Sequence, residues 1–134
     1  MTRVLTLPAF VLLAVLACAS CRQPTDLPPD FDARVAAPAS VRAGRQIFLR
    51  DCALCHGERG NGQGVRASAF STPPRDFTNE AWRESTSPRR VFRAIRDGLP
   101  GTPMPSWRAL GDDALIDLTA YVLSLGRGAQ PVGH

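Results

Sequence analysis

Residues Cys52, Ala53, Leu54, Cys55 and His56 constrain this 134-residue chain more than any other part of it. A CxxCH run sets two thiols two residues apart and an imidazole directly after the second, the pattern of covalent haem attachment. Each cysteine can add to one vinyl group of the porphyrin, while the histidine supplies an axial imidazole to the iron. Other CxxC chemistries want partners that the chain does not offer. Zinc needs a second Cys or His pair at ligand spacing, but the only other histidine is His134 at the C-terminus, and Cys18 and Cys21 lie in an apolar N-terminal segment. A thioredoxin-like redox pair needs strands and a crossover helix around it, and here the flank is glycine-rich.

The N-terminus reads as an export signal over residues 1–21. Arg3 precedes an apolar stretch from Val4 to Ala17, broken only by Thr6 and Pro8, and then Ala19, Ser20 and Cys21 follow. The stretch is short for a membrane span, and small residues follow it as a signal peptidase requires. Cys18 and Cys21 each follow a small residue at its end, as in the lipobox of bacterial lipoproteins. Leu16 is unusual before the first candidate and Cys18 at the head of the second, so the choice of lipidated cysteine stays open, as does ordinary cleavage without a lipid. The expected location is periplasmic or otherwise extracytoplasmic, on a membrane if either cysteine carries a lipid.

Residues 22–39 hold four prolines and three aspartates, with only Leu27, Phe31 and Val35 as larger apolar side chains. That composition predicts a tether between the signal and a domain over 40–126, with a loose tail at 127–134. A domain this small needs additional apolar mass to build its core, which a covalent haem supplies. The cationic side chains are sixteen arginines, with no lysine, against twelve acidic residues, for a formal charge of +4. Such an excess suits acidic or membrane-bound redox protein partners. No aromatic and basic motif for nucleic acid accompanies it.

The helical periodicities predict an all-α domain of three to four main helices around one haem. Ser40 can cap a helix over Val41–Cys52, with Val41, Gly44, Ile47 and Phe48 on one stripe. Gly57, Gly60, Gly62 and Gly64 then favour a loop lying against something flat, for which haem is the candidate. After Pro73, Pro74, Arg75, Asp76 and Phe77 comes a short helix near Asn79–Glu84. Ser87 and Pro88 open a clearer one, in which Val91, Phe92, Ile95 and Leu99 share a face and Gly98 and Pro100 end it. Arg89, Arg93 and Arg96 fall on another face, which reads as solvated, with an arginine docking stripe as the alternative. Asp112 caps a last helix through Ser124, which Gly126 stops.

Between those last two helices runs Gly101–Trp107, GTPMPSW, in which prolines on both sides restrain Met104. Beyond the signal segment Met104 is the only methionine, and it is the candidate second axial ligand. A thioether opposite the imidazole raises the haem potential, and a filled sixth position directs the iron to electron transfer.

Taken together, the first helix, CALCHG, the glycine loop, PPRDF, GTPMPSW and the last helix resemble a monohaem class I cytochrome c over about Ser40–Leu125. The resemblance implies one haem c on Cys52 and Cys55, ligated by His56 and Met104. It also implies a crossing of the first and last helices at Gly44, Phe48 and Tyr121. A proline carbonyl orients the proximal imidazole in that family, and Pro73 or Pro74 matches it. Arg75 and Trp107 match haem-propionate partners by position. The implied function is a non-enzymatic carrier of single electrons between redox proteins. Alternatives are a haem subunit of a larger membrane or periplasmic oxidoreductase, and a haem enzyme or gas sensor with an open site. Met104 argues against the last.

Overall fold

The computed structural model describes residues 27–127. The signal segment with Cys18 and Cys21, the first residues of the linker and the tail bearing His134 fall outside the described residues. Within them the chain forms six α-helices and no strand: α1 (Phe31–Ala36), α2 (Pro38–Asp51), α3 (Ala53–His56), α4 (Glu80–Ser85), α5 (Pro88–Asp97) and α6 (Asp112–Ser124). Single 3-10 turns at Ala67–Ala69 and Arg108–Leu110 punctuate the long loops.

The frame is the crossing of α2 and α6, and a glycine permits it. A Cβ on Gly44 would overlap the Asp117 carbonyl oxygen and sit 2.9 Å from the Tyr121 Cβ, so only hydrogen fits between the two backbones. Beside this contact the rings of Phe48 and Tyr121 pack at 5.2 Å between centroids. α5 lays Val91, Phe92 and Ile95 into the same core, alongside Leu115, Ile116 and Leu118 of α6. Its start follows from sequence chemistry: the Ser87 hydroxyl accepts the Arg90 backbone N–H at 3.3 Å, and Pro88 occupies the first turn, where no N–H is needed.

Three boundaries differ from the sequence expectation. Helix α2 begins at Pro38 with Ala37 as its cap, and Ser40 lies inside the helix, buried. Proline at the first helical position preorganises φ, so the start moves upstream of the serine. In α6, Asp112 is the first helical residue and Gly111, at φ 81°, is the cap; Asp112 and Asp113 still face the positive end of the helix dipole.

The third correction concerns the expected tether. Residues 31–36 are helical, Phe31 is fully buried, and its ring meets Phe92 edge-on at 5.5 Å. Val35 is also buried, and Arg34 reaches Asp113 of α6 at 2.8 Å. Phe31 and Val35 stand four residues apart, which places both on one helical face. A polar composition around two apolar residues therefore conceals a helix that needs only one buried side, and the folded domain begins at α1, ahead of Ser40.

Candidate haem site

The CxxCH segment is a single helical turn launched from the end of α2. Cys52 ends α2 and begins α3, and the backbone N–H groups of Cys55 and His56 both bond to its carbonyl, at 3.1 and 2.9 Å. Gly57 then stops the turn at φ 77°, a conformation that a side chain would strain. The chain folds back on itself: Gly62 N–H donates to His56 O at 2.8 Å, Gly64 N–H to Cys55 O at 3.1 Å, and Arg66 N–H to Leu54 O at 3.0 Å. A Cβ on Gly64 would lie 2.5 Å from the Cys55 carbonyl carbon. The glycine-rich loop is thus flattened against the CxxCH backbone.

His56 is held in one orientation from two sides. Its Nδ1 lies 3.2 Å from the carbonyl oxygen of Arg75, which can only accept, so Nδ1 carries the proton and the lone pair of Nε2 is free for a metal. The imidazole also stacks on Phe77, with centroids 4.6 Å apart and planes inclined by 20°. Phe77 in turn touches Phe48 at 6.3 Å and Trp82 at 5.2 Å, which ties the ligand to the α2–α6 crossing. Burial lowers the imidazole pKa, partly opposed by the Arg75 carbonyl, and the neutral ring is the form that ligates.

The proline assignment is corrected by this geometry. Pro74 directs its carbonyl at the glycine loop, where a Cβ on Gly62 would stand 2.7 Å from it. Arg75, one residue on, turns its own carbonyl to His56. Successive carbonyls of an extended strand point to opposite sides, so the acceptor cannot be read from residue type. Phe77 and Trp82 were not singled out as site residues from the sequence. Their signal was faint: aromatic residues just beyond the paired prolines.

Met104 is half-buried against the core, on the loop that leaves α5. Its carbonyl accepts Leu99 N–H at 3.2 Å, and its N–H donates to the Thr102 hydroxyl at 3.3 Å. Trp107 is half-buried as well and anchors the loop's far end through its N–H to the Ile95 carbonyl at 3.2 Å. The site residues thus form two groups, Cys52, Cys55, His56 and Arg75 at the CxxCH turn and Met104 with Trp107 on the loop after α5, and Cys52, Met104 and Trp107 pack against the same core.

These residues fit a covalent haem. Cys52 and Cys55 are unbridged and half-exposed. Burial, with smaller contributions from the Asp51 and Cys55 charges, pushes the Cys52 thiol up to about 12, the reverse of the lowered value that a CxxC redox thiol requires. Among the described residues the exposed large hydrophobics are Leu54, Val65 and Leu99, at 51%, 83% and 44%. Leu54 lies within the CxxCH, Val65 follows the glycine loop, and Leu99 bonds to Met104, so the apolar surface borders the residues that would hold a flat apolar ring.

A strandless helical core around a CxxCH turn with an oriented imidazole defines a monohaem c-type cytochrome domain, which carries one covalently attached haem c. Residues 39–122 match the family described as cytochrome c oxidase, cbb3-type, subunit III, and the chain belongs to that family. It is 30% identical over 92 residues to the cbb3-type cytochrome c oxidase subunit FixPc of Rhizobium leguminosarum bv. viciae, covering 68% of this chain and 30% of that protein. Cytochrome c55X of Stutzerimonas stutzeri is 34% identical over 86 residues, covering 60% of this chain and 65% of its own length. Among solved structures, a chain of the Kuenenia stuttgartiensis reducing HAO-like protein complex Kustc0457/Kustc0458 aligns with a TM-score of 0.61 and 37% identity, over 67% of this chain and 45% of that one. The chain spans about 30% of the length of the oxidase subunits it matches.

Proposed function

We propose that this domain passes single electrons between redox proteins through a haem held by Cys52 and Cys55 and ligated by His56 and Met104. When bound, the haem supplies a one-electron ferric/ferrous couple. The chain's own residues do the rest. His56 presents a fixed, neutral Nε2, with its Nδ1 proton committed to Arg75. Met104 supplies the thioether from a loop bonded to the end of α5, and the apolar Leu54, Val65 and Leu99 keep water off that surface. The observation that carries the reading is Met104, half-buried on a proline-clamped loop that packs on the same core as the CxxCH turn; its thioether, if bound to the iron, would leave no site for substrate or gas. The domain is accordingly a carrier, not an enzyme or an open-site sensor.

The test is Met104→Ala. The variant is expected to lose its low-spin six-coordinate spectrum, drop in potential and bind carbon monoxide when ferrous. An unchanged spectrum and potential would remove Met104 from the iron.

The names of the relatives favour a second reading of the same chemistry, a haem subunit serving a larger oxidase; copurification of a membrane complex distinguishes it from a free carrier. In either case we place the domain outside the cytoplasm, after export by the N-terminal segment, held at a membrane if Cys18 or Cys21 is lipidated and free if cleavage is ordinary. Among the described residues no helix is long and apolar enough to cross a membrane. The mass of the mature protein reads haem, cleavage point and lipid together.

A further inference from the structure

The loop carrying Met104 is closed by contacts at its two stems. It leaves α5 at Gly98, a buried residue at φ 73° on which the returning chain rests: a Cβ there would lie 2.7 Å from both the Pro105 carbonyl carbon and the Ser106 nitrogen. The Ser106 hydroxyl donates to the Arg96 carbonyl at 2.7 Å. Immediately before Gly98, Asp97 accepts from two arginines on the same oxygen, Arg96 at 2.9 Å and Arg108 at 2.6 Å. Arg108 stands just past the loop's far end, so its ion pair with Asp97 joins the two stems. Arg96 is mostly buried, 14% exposed, with its guanidinium 5.6 Å from the centre of the Phe92 ring, and it holds the Asp97 carboxylate in place for Arg108.

We infer that Asp97 and Arg108 form a latch that sets how often the Met104 loop opens, and hence how readily another ligand displaces Met104 from the iron. The latch rests on the His56/Met104 reading. Arg96 is its fixed base, and the pair itself is solvent-exposed, Arg108 at 67% and Asp97 at 36%. Exposed pairs have small equilibrium effects, which suits an element that tunes opening without governing whether the domain folds. The pKa of Asp97 lies below the usual carboxylate range, chiefly through the hydrogen bond from Arg96, so the latch is charged at neutral pH. Asp97 and Arg108 are positioning residues, acting on the iron through the loop.

The test is imidazole binding to the ferric holoprotein, since imidazole enters only when the thioether leaves. In Asp97→Asn and in Arg108→Gln the apparent affinity is expected to rise about two- to five-fold, the range of a lost exposed pair. The double variant should match Asp97→Asn, because without the Asp97 charge Arg108 has no pair left to lose. Arg34→Gln, which breaks a comparable exposed pair with Asp113 away from the loop, should lower the midpoint of global unfolding by a similarly small amount and leave imidazole affinity unchanged, a contrast that a merely structural role would not produce. If the wild type shows the thioether-to-iron charge-transfer band and neither variant binds imidazole more tightly, the latch is overturned and the ligand reading stands. The latch also fails if the two effects add in full. If the wild type lacks that band, the ligand reading fails and the latch falls with it.

Discussion

Gly44→Ala tests the crossing on which the whole site is built. A methyl group at position 44 would overlap the Asp117 carbonyl oxygen and approach the Asp117 carbonyl carbon to 2.5 Å and the Tyr121 Cβ to 2.9 Å. Normal carbon–carbon contact is ~3.5–4.0 Å, so α2 and α6 must separate by about 1 Å where they touch. The obstacle is helical backbone, which cannot rotate away as a side chain can. Overpacking of this kind costs ~1–3 kcal/mol and more where backbone must move, and we take about 3. Alanine recovers up to ~1 kcal/mol of helix propensity over glycine, leaving a net loss of about 2 kcal/mol. For a domain of this size that lowers Tm by roughly 8–16 °C. Thermal melts of the holoprotein by circular dichroism measure it directly. A Tm equal to or above that of the wild type would mean that propensity outweighs the clash and that the close crossing is not essential.

Other expectations follow from single contacts. Phe31→Ala empties a fully buried ring site against Phe92 and should cost about 3–5 kcal/mol by chemical denaturation; a loss below ~1 kcal/mol would return residues 31–36 to the role of a tether. Arg75→Ala preserves the carbonyl that holds His56 Nδ1, so the proximal ligand signals in paramagnetic NMR should be unchanged, whereas a side-chain role would shift them. Phe77→Ala removes the ring stacked on His56 and should broaden those signals and lower stability by about 3–5 kcal/mol. Ser87→Ala removes the cap of α5 and should cost about 1 kcal/mol in the same denaturation assay, with no change in the haem spectrum.

Parts of the domain were legible before any coordinates because their causes are local. The Ser87–Pro88 start of α5 needs only its own hydroxyl and ring, and it falls where expected. The Gly44, Phe48 and Tyr121 crossing came from the resemblance, and α2 and α6 meet there. The missed parts depend on where a distant segment arrives. Phe31 and Val35 look like stray apolar residues in a polar run until Phe92 and α6 stand beside them. Pro74 and Arg75 differ by one step of backbone, and only the placement of His56 and of the glycine loop decides which carbonyl meets which.

The attachment chemistry is local: two thiols and an imidazole at fixed spacing specify a covalent haem, because connectivity alone sets which of these groups lie within reach of one ring. The supports of the site come from the fold. Phe77 beneath the imidazole and the carbonyl of Arg75 on its Nδ1 come from a separate segment of the chain, while the glycine loop pressed onto the CxxCH turn and the Asp97–Arg108 pair across the Met104 loop close loops whose ends no helical period pairs. Such contacts are chosen by the packing of α2, α5 and α6 around a common core, and no local pattern encodes that packing.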